Sequence, residues 1–272
     1  MSVQHRTIEQ RDLDAFAALS GDDNPIHVDP QRAAQLTFGT TVAHGMLLAT
    51  VCDGALRSSV DWPWRAMALT FPAPTPAGSE VELHLEPAGR QATIDLRLPD
   101  GASGLEGAAA AAAAELPTGV LDVPAAGPTE AHLGRLTGVS AQLERQITGD
   151  DLVAYAQLAG VDAAEVAAVP LPMVTALFSC LLGTRLPGPG TNYLKQSFTL
   201  DELPAPGLLR AEVEVRRVRA EQGLVDLATT CHDHQGRQLG HGRALVLAVD
   251  VDVDATLARL GAGTDGAPTT TS

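Results

Sequence analysis

The chain has 272 residues, 45% hydrophobic and 19% charged, which is enough apolar material for a sizeable core and long for one ordinary domain, so two cores are expected. Its 33 acidic against 18 basic residues give a net charge of −15, a field that repels nucleic-acid phosphates and anionic lipid, so neither is an expected partner. Three cysteines without a CxxC exclude a disulfide framework or zinc ribbon, MSVQHRTIEQRDLD lacks an apolar signal core, and no apolar run nears the ~18 residues that span a bilayer; a cytoplasmic protein is expected.

The first element repeats later in the chain, since residues 3–21 lie over 142–160 at an offset of 139, with Ile8 on Ile147, Asp12-Leu13 on Asp151-Leu152, Phe16 on Tyr155 and Gly21 on Gly160. Each copy predicts a helix. Thr7 or Thr148 is the expected cap, with Gln10 or Asp151 three residues on, and apolar Leu13, Phe16 and Ala17, or Leu152, Tyr155 and Ala156, share one face. Gly21 or Gly160 closes the helix.

Residues 45–57 and 172–182 come next, and both are apolar on most faces, as a helix can be only when it is surrounded. Here the offset is 127 (Met46 on Met173, Ala49 on Ala176, Phe71 on Phe198), so the second copy lacks 12 residues between Gly160 and Pro172. Short alternating segments follow in both copies: MALTFPAP, EVELHLEP and TIDLRLP in the first; YLKQSFTL, RAEVEVRRV, LVDLATTCH and ALVLAV in the second. An antiparallel sheet curled around a central helix satisfies both observations. The run Ala108–Ala114 favours helix by propensity, but its repeat partner is the strand pattern ALVLAV, and it is read as strand. An α+β chain with two like domains is expected, 1–117 and 142–250, joined by a Gly/Pro/Ala-rich linker 118–141 and followed by a flexible tail 251–272.

One run carries chemistry. Residues 16–34 read FAALSGDDNPIHVDPQRAA and 42–48 read VAHGMLL. Gly21 ends the helix, Asn24 before Pro25 is pushed to an extended conformation, and Asp29-Pro30 starts a short helix, so Asp22 and His27 sit on a turn fixed at both ends. A carboxylate and an imidazole so held can address one small molecule, typically a water. Asx-Pro turns beside a histidine are common, and these two residues alone favour a structural reading.

In order and spacing, Gly21, Asp22, Asn24, Pro25, Ile26, His27, Ala33, Ala43, His44, Gly45 and Met46 resemble the signature of the MaoC-like, (R)-specific enoyl-CoA hydratase family. Residues 181–200, LLGTRLPGPGTNYLKQSFTL, are similar to the loop and strand after the central helix of its single-domain members. The resemblance implies tandem hot-dog folds fused in one chain, a pseudo-dimer acting as a monomer or pairing again. It implies a hydro-lyase that hydrates trans-2-enoyl thioesters, or dehydrates (R)-3-hydroxyacyl thioesters, without metal or cofactor, the acyl group riding on coenzyme A or on the phosphopantetheine of an acyl carrier protein. Asp22 and His27 match the pair that handles the water, and Gly45 matches the glycine whose N–H faces the thioester carbonyl; Asn24 is expected to orient the turn.

The second copy has Val161 in place of Asp22 and Pro172 in place of Gly45, so one site per chain is expected, with the second half walling the acyl channel. His44 reads by default as a packed loop histidine. Asp53, a carboxylate in an apolar helix, stands where relatives often carry a small hydroxyl residue; it either faces the pocket or caps an internal polar group. Arg216, Arg217 and Arg219 read as a solvated face, with a phosphate contact as the minority reading. The alternatives are a hot-dog thioesterase, for which Asp53 is the one helix-borne candidate, and a non-catalytic acyl-binding subunit.

Overall fold

A computed structural model describes residues 2–36, 38–125 and 132–262. The first half runs β1 (Ser2–Ile8), α1 (Gln10–Ser20), the single turns α2 (Pro25–Val28) and α3 (Pro30–Ala33), the long α4 (Gly45–Arg57), then β2 (Ala66–Thr70), β3 (Ser79–Ala88), β4 (Gln91–Arg97) and β5 (Ser103–Ala110). The second half repeats this order without the two short turns: β6 (Ser140–Gln146), α5 (Gly149–Ala159), α6 (Leu171–Thr184), β7 (Asn192–Leu200), β8 (Leu208–Arg219), β9 (Leu224–Asp233) and β10 (Gln238–Leu247). A last helix, α7, spans Val253–Ala262. The 12-residue difference falls where the first copy carries α2 and α3 and the second only a 3-10 turn, Ala163–Glu165.

All ten strands form one antiparallel sheet in the order β1-β3-β4-β5-β2-β7-β10-β9-β8-β6, and the halves meet at β2 and β7, paired from Ala66↔Thr199 to Thr70↔Lys195. The sheet curls around α4 and α6. Every residue from Met46 to Leu56 and from Leu171 to Gly183 is buried, which is why these helices have no polar face. The two helices pack on each other, and Thr175 donates from α6 to Met46 Sδ (3.0 Å). This is the double hot-dog architecture that the resemblance implies.

Gly21 and Gly160 end α1 and α5 in the left-handed region, at φ 80° and 74°. Two other aligned glycines, Gly107 and Gly242, let neighbouring strands come close: a Cβ on either would lie 2.1 or 2.0 Å from a carbonyl oxygen of the adjacent strand.

Three local expectations are corrected. The cap of α1 is Glu9, not Thr7: Glu9 is the residue 139 before Thr148, its N–H donates to Asp12 Oδ2 (2.9 Å), and Thr7 lies in β1. In the second copy Thr148 does cap α5, accepting from Asp151 N (3.2 Å). The alanine run is strand only as far as Ala110, after which Ala113–Glu115 makes a 3-10 turn, since the ladder with β2 ends at Ala66↔Ala110 and releases the chain to its local preference. The linker and tail carry more structure than their composition suggests: Leu133–Leu136 is a 3-10 turn with Leu136 fully buried, and α7 buries Val253 and Thr256, the latter donating to Pro187 O (2.6 Å). Arg135 joins the two through Asp254. Residues 126–131 and 263–272 lie outside the described residues.

The crossing of α4 on α5 depends on Gly54, where a Cβ would lie 1.8 Å from the Ala159 carbonyl oxygen. Gly54→Ala is expected to cost about 3 kcal/mol by forcing the helices apart. Gly149→Ala, at the start of α5 with open space around it, is expected to gain about 0.4–1 kcal/mol by restricting the unfolded chain. Paired thermal melts check both signs.

Candidate active site

The end of α1 builds the site. After Gly21 turns the chain, Asp22 is buried with its N–H on Ser20 Oγ (3.1 Å) and its carboxylate oxygen Oδ2 accepting from Ser179 Oγ of α6 (2.8 Å). Oδ1 has no partner among the described residues. Burial drives the Asp22 pKa up to about 6, against the lowering effect of the Ser179 hydroxyl and of the Asn24 backbone. The carboxyl is therefore poised near neutrality.

Asn24 caps α2 by accepting from Ile26 N (3.3 Å), which fixes the turn, as its position before Pro25 suggested. His27 sits on α2 with Nδ1 2.6 Å from the Val42 carbonyl. A carbonyl only accepts, so Nδ1 carries the proton and Nε2 is left with its lone pair. Burial lowers the His27 pKa to about 4, keeping the ring neutral. Gln10 braces this turn from α1, donating to the His27 carbonyl (2.9 Å) and accepting from Thr41 (2.6 Å).

His44 is more than packing. Fully buried, its ring stacks on His27 with centroids 3.7 Å apart, and its Nε2 lies 2.9 Å from the Asp22 carbonyl, so it ties the two halves of the motif together. Burial, then the neighbouring His27, hold its pKa well below the ordinary value. One ligand-type atom each of Asp22, His27 and His44 lie within 4.8 Å of one another. Such a trio could in principle hold a metal. Each ring, however, already spends one nitrogen on a carbonyl.

Gly45 is the first residue of α4, where the N–H has no intrahelical acceptor and lies at the positive end of the helix dipole. It lines a chamber of about 200 Å³ together with Asp22, His27, Ser179, Gly183 and Tyr193. A Cβ at Gly45 would meet the Phe71 ring at 2.9 Å, and one at Gly183 would meet Asp22 Oδ1 at 3.2 Å. Ser179, Gly183 and Tyr193 come from the second half, so that half contributes polar groups and clearance as well as wall.

Asp53 is not in the chamber. It lies eight residues beyond Gly45, about 12 Å along the helix, and accepts from Arg57 Nε (2.8 Å) and Tyr155 OH (2.9 Å); of its two readings, the internal polar group is the one found. Burial raises its pKa, countered by Arg57 and Tyr155. By the repeat this cluster occupies the second copy's counterpart of the site. Arg216 pairs with Glu214 (3.0 Å) and Arg219 with the buried Asp226 (3.1 Å), while Arg217 is exposed.

Ser179 was legible only as one of three hydroxyl residues, with Thr175 and Thr184, in the mostly apolar LPMVTALFSCLLGT, one register place from the residue aligned with Asp53. Gly183, Thr191 and Tyr193 fall within the family-like stretch 181–200, but nothing there marked them individually.

The family model described as MaoC like domain matches residues 1–98. Over 82 residues the chain is 38% identical to the 3-hydroxyacyl-thioester dehydratase Z of Mycobacterium tuberculosis, 28% of this chain and 54% of that protein. Over 75 residues it is 40% identical to the (R)-specific enoyl-CoA hydratase of Aeromonas caviae, 26% of this chain and 56% of that one. The chain thus spans about half the length of the curated relatives it matches. Two solved structures cover 90% of it with a TM-score of 0.66 at 15% identity, which is likeness of fold: a MaoC-like dehydratase (97% of that chain covered) and a conserved hypothetical protein of Mycobacterium tuberculosis described as a double hot dog (95%). Among the described residues no helix is long and apolar enough to cross a membrane.

Removing the buried charge tests the electrostatics directly. A carboxyl whose folded pKa is about 6 against 3.8 unfolded destabilises the fold once both states are ionised, above about pH 6, and not below about pH 4 where both are protonated. Asp22→Asn is expected to stabilise the protein at pH 7, by up to ~3 kcal/mol, with the gain vanishing as pH falls from 6 to 4. Melts of both proteins across that range check it; a gain that grows on acidification would contradict the raised pKa.

Proposed function

We propose that the protein, whose residues 1–98 match the MaoC like domain model within a double hot-dog chain, is a hydro-lyase acting on acyl thioesters, adding water across a trans-2-enoyl group or removing it from an (R)-3-hydroxyacyl group. The observation that carries this reading is a carboxyl held near pKa 6 beside a neutral imidazole lone pair in one chamber, with a free helix N-terminal N–H on its wall. General acid–base chemistry is most effective when the group's pKa lies near working pH.

Each residue then has a part in the reaction. Water lies between Asp22 and His27, giving one hydrogen bond to the His27 Nε2 lone pair and one to the Asp22 carboxylate. Asp22 takes the water proton as its oxygen bonds to C3; the π pair of the C2–C3 bond moves onto the thioester carbonyl as an enolate, facing the Gly45 N–H. Donors preorganised at a developing oxyanion are worth ~3–4 kcal/mol. The enolate then takes the proton back from Asp22 at C2. One carboxyl serves in turn as base and acid, His27 orients the water, and His44 and Asn24 hold both in place. No cofactor or metal enters this sequence.

A thioesterase built on a helix carboxylate is disfavoured because Asp53 is committed to Arg57 and Tyr155. The three buried free cysteines suit a reducing compartment, and the reading places the protein in the cytoplasm.

Crotonyl-CoA is expected to lose its enoyl absorbance with purified protein without releasing free thiol. Asp22→Asn and His27→Ala are each expected to lower turnover at least ~100-fold with the fold intact, and the double variant to be little worse than the worse single one. Near wild-type hydration by either variant would overturn the assignment. In both directions Asp22 must start ionised, so kcat/KM should fall as pH drops through about 6. Ser179→Ala removes a bond to the charged form and should move that acid limb up by roughly one pH unit.

A further inference from the structure

The inner chamber adjoins an outer groove of about 450 Å³, and Asn24, Ile26, Phe38, Thr191 and Asn192 line both. These residues form the neck between the reacting groups and the surface. Asn24 is committed, since its side-chain carbonyl accepts from Ile26 N. Thr191 is not. Only 6% exposed, it has no hydrogen-bond partner for its hydroxyl among the described residues. Its backbone is fixed by a tight turn: its N–H donates to Gly188 O (3.2 Å), and Gly190, at φ 95°, sits where a Cβ would come within 2.6 Å of the Asp250 carbonyl. A buried, immobile and unpaired hydroxyl on a passage wall is unusual, because buried polar groups are otherwise paired.

We infer that the Thr191 hydroxyl is a binding group for the amide in the carrier arm of the acyl thioester, gripping the arm at the neck while the acyl end lies against Asp22 and His27. The inference rests on the hydro-lyase reading for the nature of the ligand. An acyl group placed with its C3 at the Asp22–His27 water and its carbonyl facing Gly45 leads its sulfur past the shared lining residues into the outer groove. In the pantetheine arm common to coenzyme A and to carrier proteins, the first polar group past the sulfur is an amide, two carbons on. An amide offers one donor and one acceptor, and a threonine hydroxyl can answer either. The outer groove carries one basic side chain, Arg32, and one acidic one, Asp250, so the arm's anionic end has a cation within the same groove.

The test compares thioesters with and without that amide. For wild type, Thr191→Val and Thr191→Ser, kcat/KM is measured with crotonyl-CoA and with S-propyl crotonothioate, and Kd with the unreactive butyryl-CoA and with S-propyl butanethioate. Thr191→Val should lower the preference for the coenzyme A thioester over the propyl one roughly 3–10-fold, through KM rather than kcat, and Thr191→Ser should restore it. An equal loss on both thioesters, or no loss on either, overturns the proposal by making Thr191 a packing residue. If wild type hydrates neither substrate the hydro-lyase reading fails, and the Kd comparison alone then decides on Thr191: a selective loss for butyryl-CoA upholds it, an unchanged ratio overturns it. Running butyryl-CoA beside the butyryl phosphopantetheinyl form of an acyl carrier protein shows which source binds tighter, and a Thr191→Val loss on the tighter one upholds the inference.

Discussion

A curled sheet around one helix has an open edge, and in this chain each half hides that edge against the other. Pairing β2 with β7 removes two unpaired strand edges at once and is reinforced on both sides, by Leu200 N on Arg65 O (2.8 Å) and by Phe71 N on Leu194 O (2.9 Å). Closing the seam also forces α4 and α6 into contact, because each central helix lies under its own sheet. Everything at the site depends on that contact. It brings Ser179 to the carboxylate of Asp22, leaves the space at Gly183 for the turn, and sets Tyr193 and Thr191 at the edge of a chamber whose other wall belongs to the first half.

The halves are bracketed crosswise in a second way. Arg6 of β1 donates to Leu158 O at the end of α5 (2.5 Å), and Arg145 of β6, its partner in the repeat, reaches Ala18 O at the end of α1 (3.4 Å). Each also meets the acid of its own capping box, Asp12 at 3.7 Å and Asp151 at 3.2 Å. Cations near helix C-termini are favourable. The symmetry of these brackets contrasts with the asymmetry of what they enclose. One helix end leads into Asp22 and a solvent-sized chamber; the other leads into Val161 and a cluster of Asp53, Arg57 and Tyr155 that is internally satisfied. The first arrangement keeps a carboxyl short of donors, at a cost to stability, and the second spends the same volume on cohesion.

Much of this was legible because it is local or periodic. Two helices without polar faces could only be central, aligned glycines marked where α1 and α5 stop, and the Gly-Asp-x-Asn-Pro-x-His turn placed Asp22 and His27 before any coordinates. The strands β1 and β6 were not, since as the outermost strands of the sheet they bury little besides Ile8 and Ala141; β6 alternates in exposure, but its inward positions include Arg145, so its sequence reads as mostly polar. Ser179 was missed for a different reason: it acts across 157 residues, and no window of sequence contains both partners. Asp53 was singled out correctly as an expensive residue but without a location, because cost in an apolar helix says that a partner exists, not on which side of the helix it lies. The alanine run and the α7 tail show the limit of composition, which registers small or polar residues but not the neighbour that pins them.

The Ser179–Asp22 bond has a consequence of its own, because its partners are joined by the same polypeptide. In an assembly of two separate chains, the equivalent contact would exist only in the associated fraction, and dilution would dissolve the site along with the pair. Here the effective concentration of one half around the other is set by the linker and cannot be diluted. A tethered partner is also free to diverge, since no substitution in it is copied into the half that keeps the acid–base turn. Pro172 in place of a helix N–H and Arg57 locked on Asp53 are substitutions that a symmetric pair would have to carry in both of its sites.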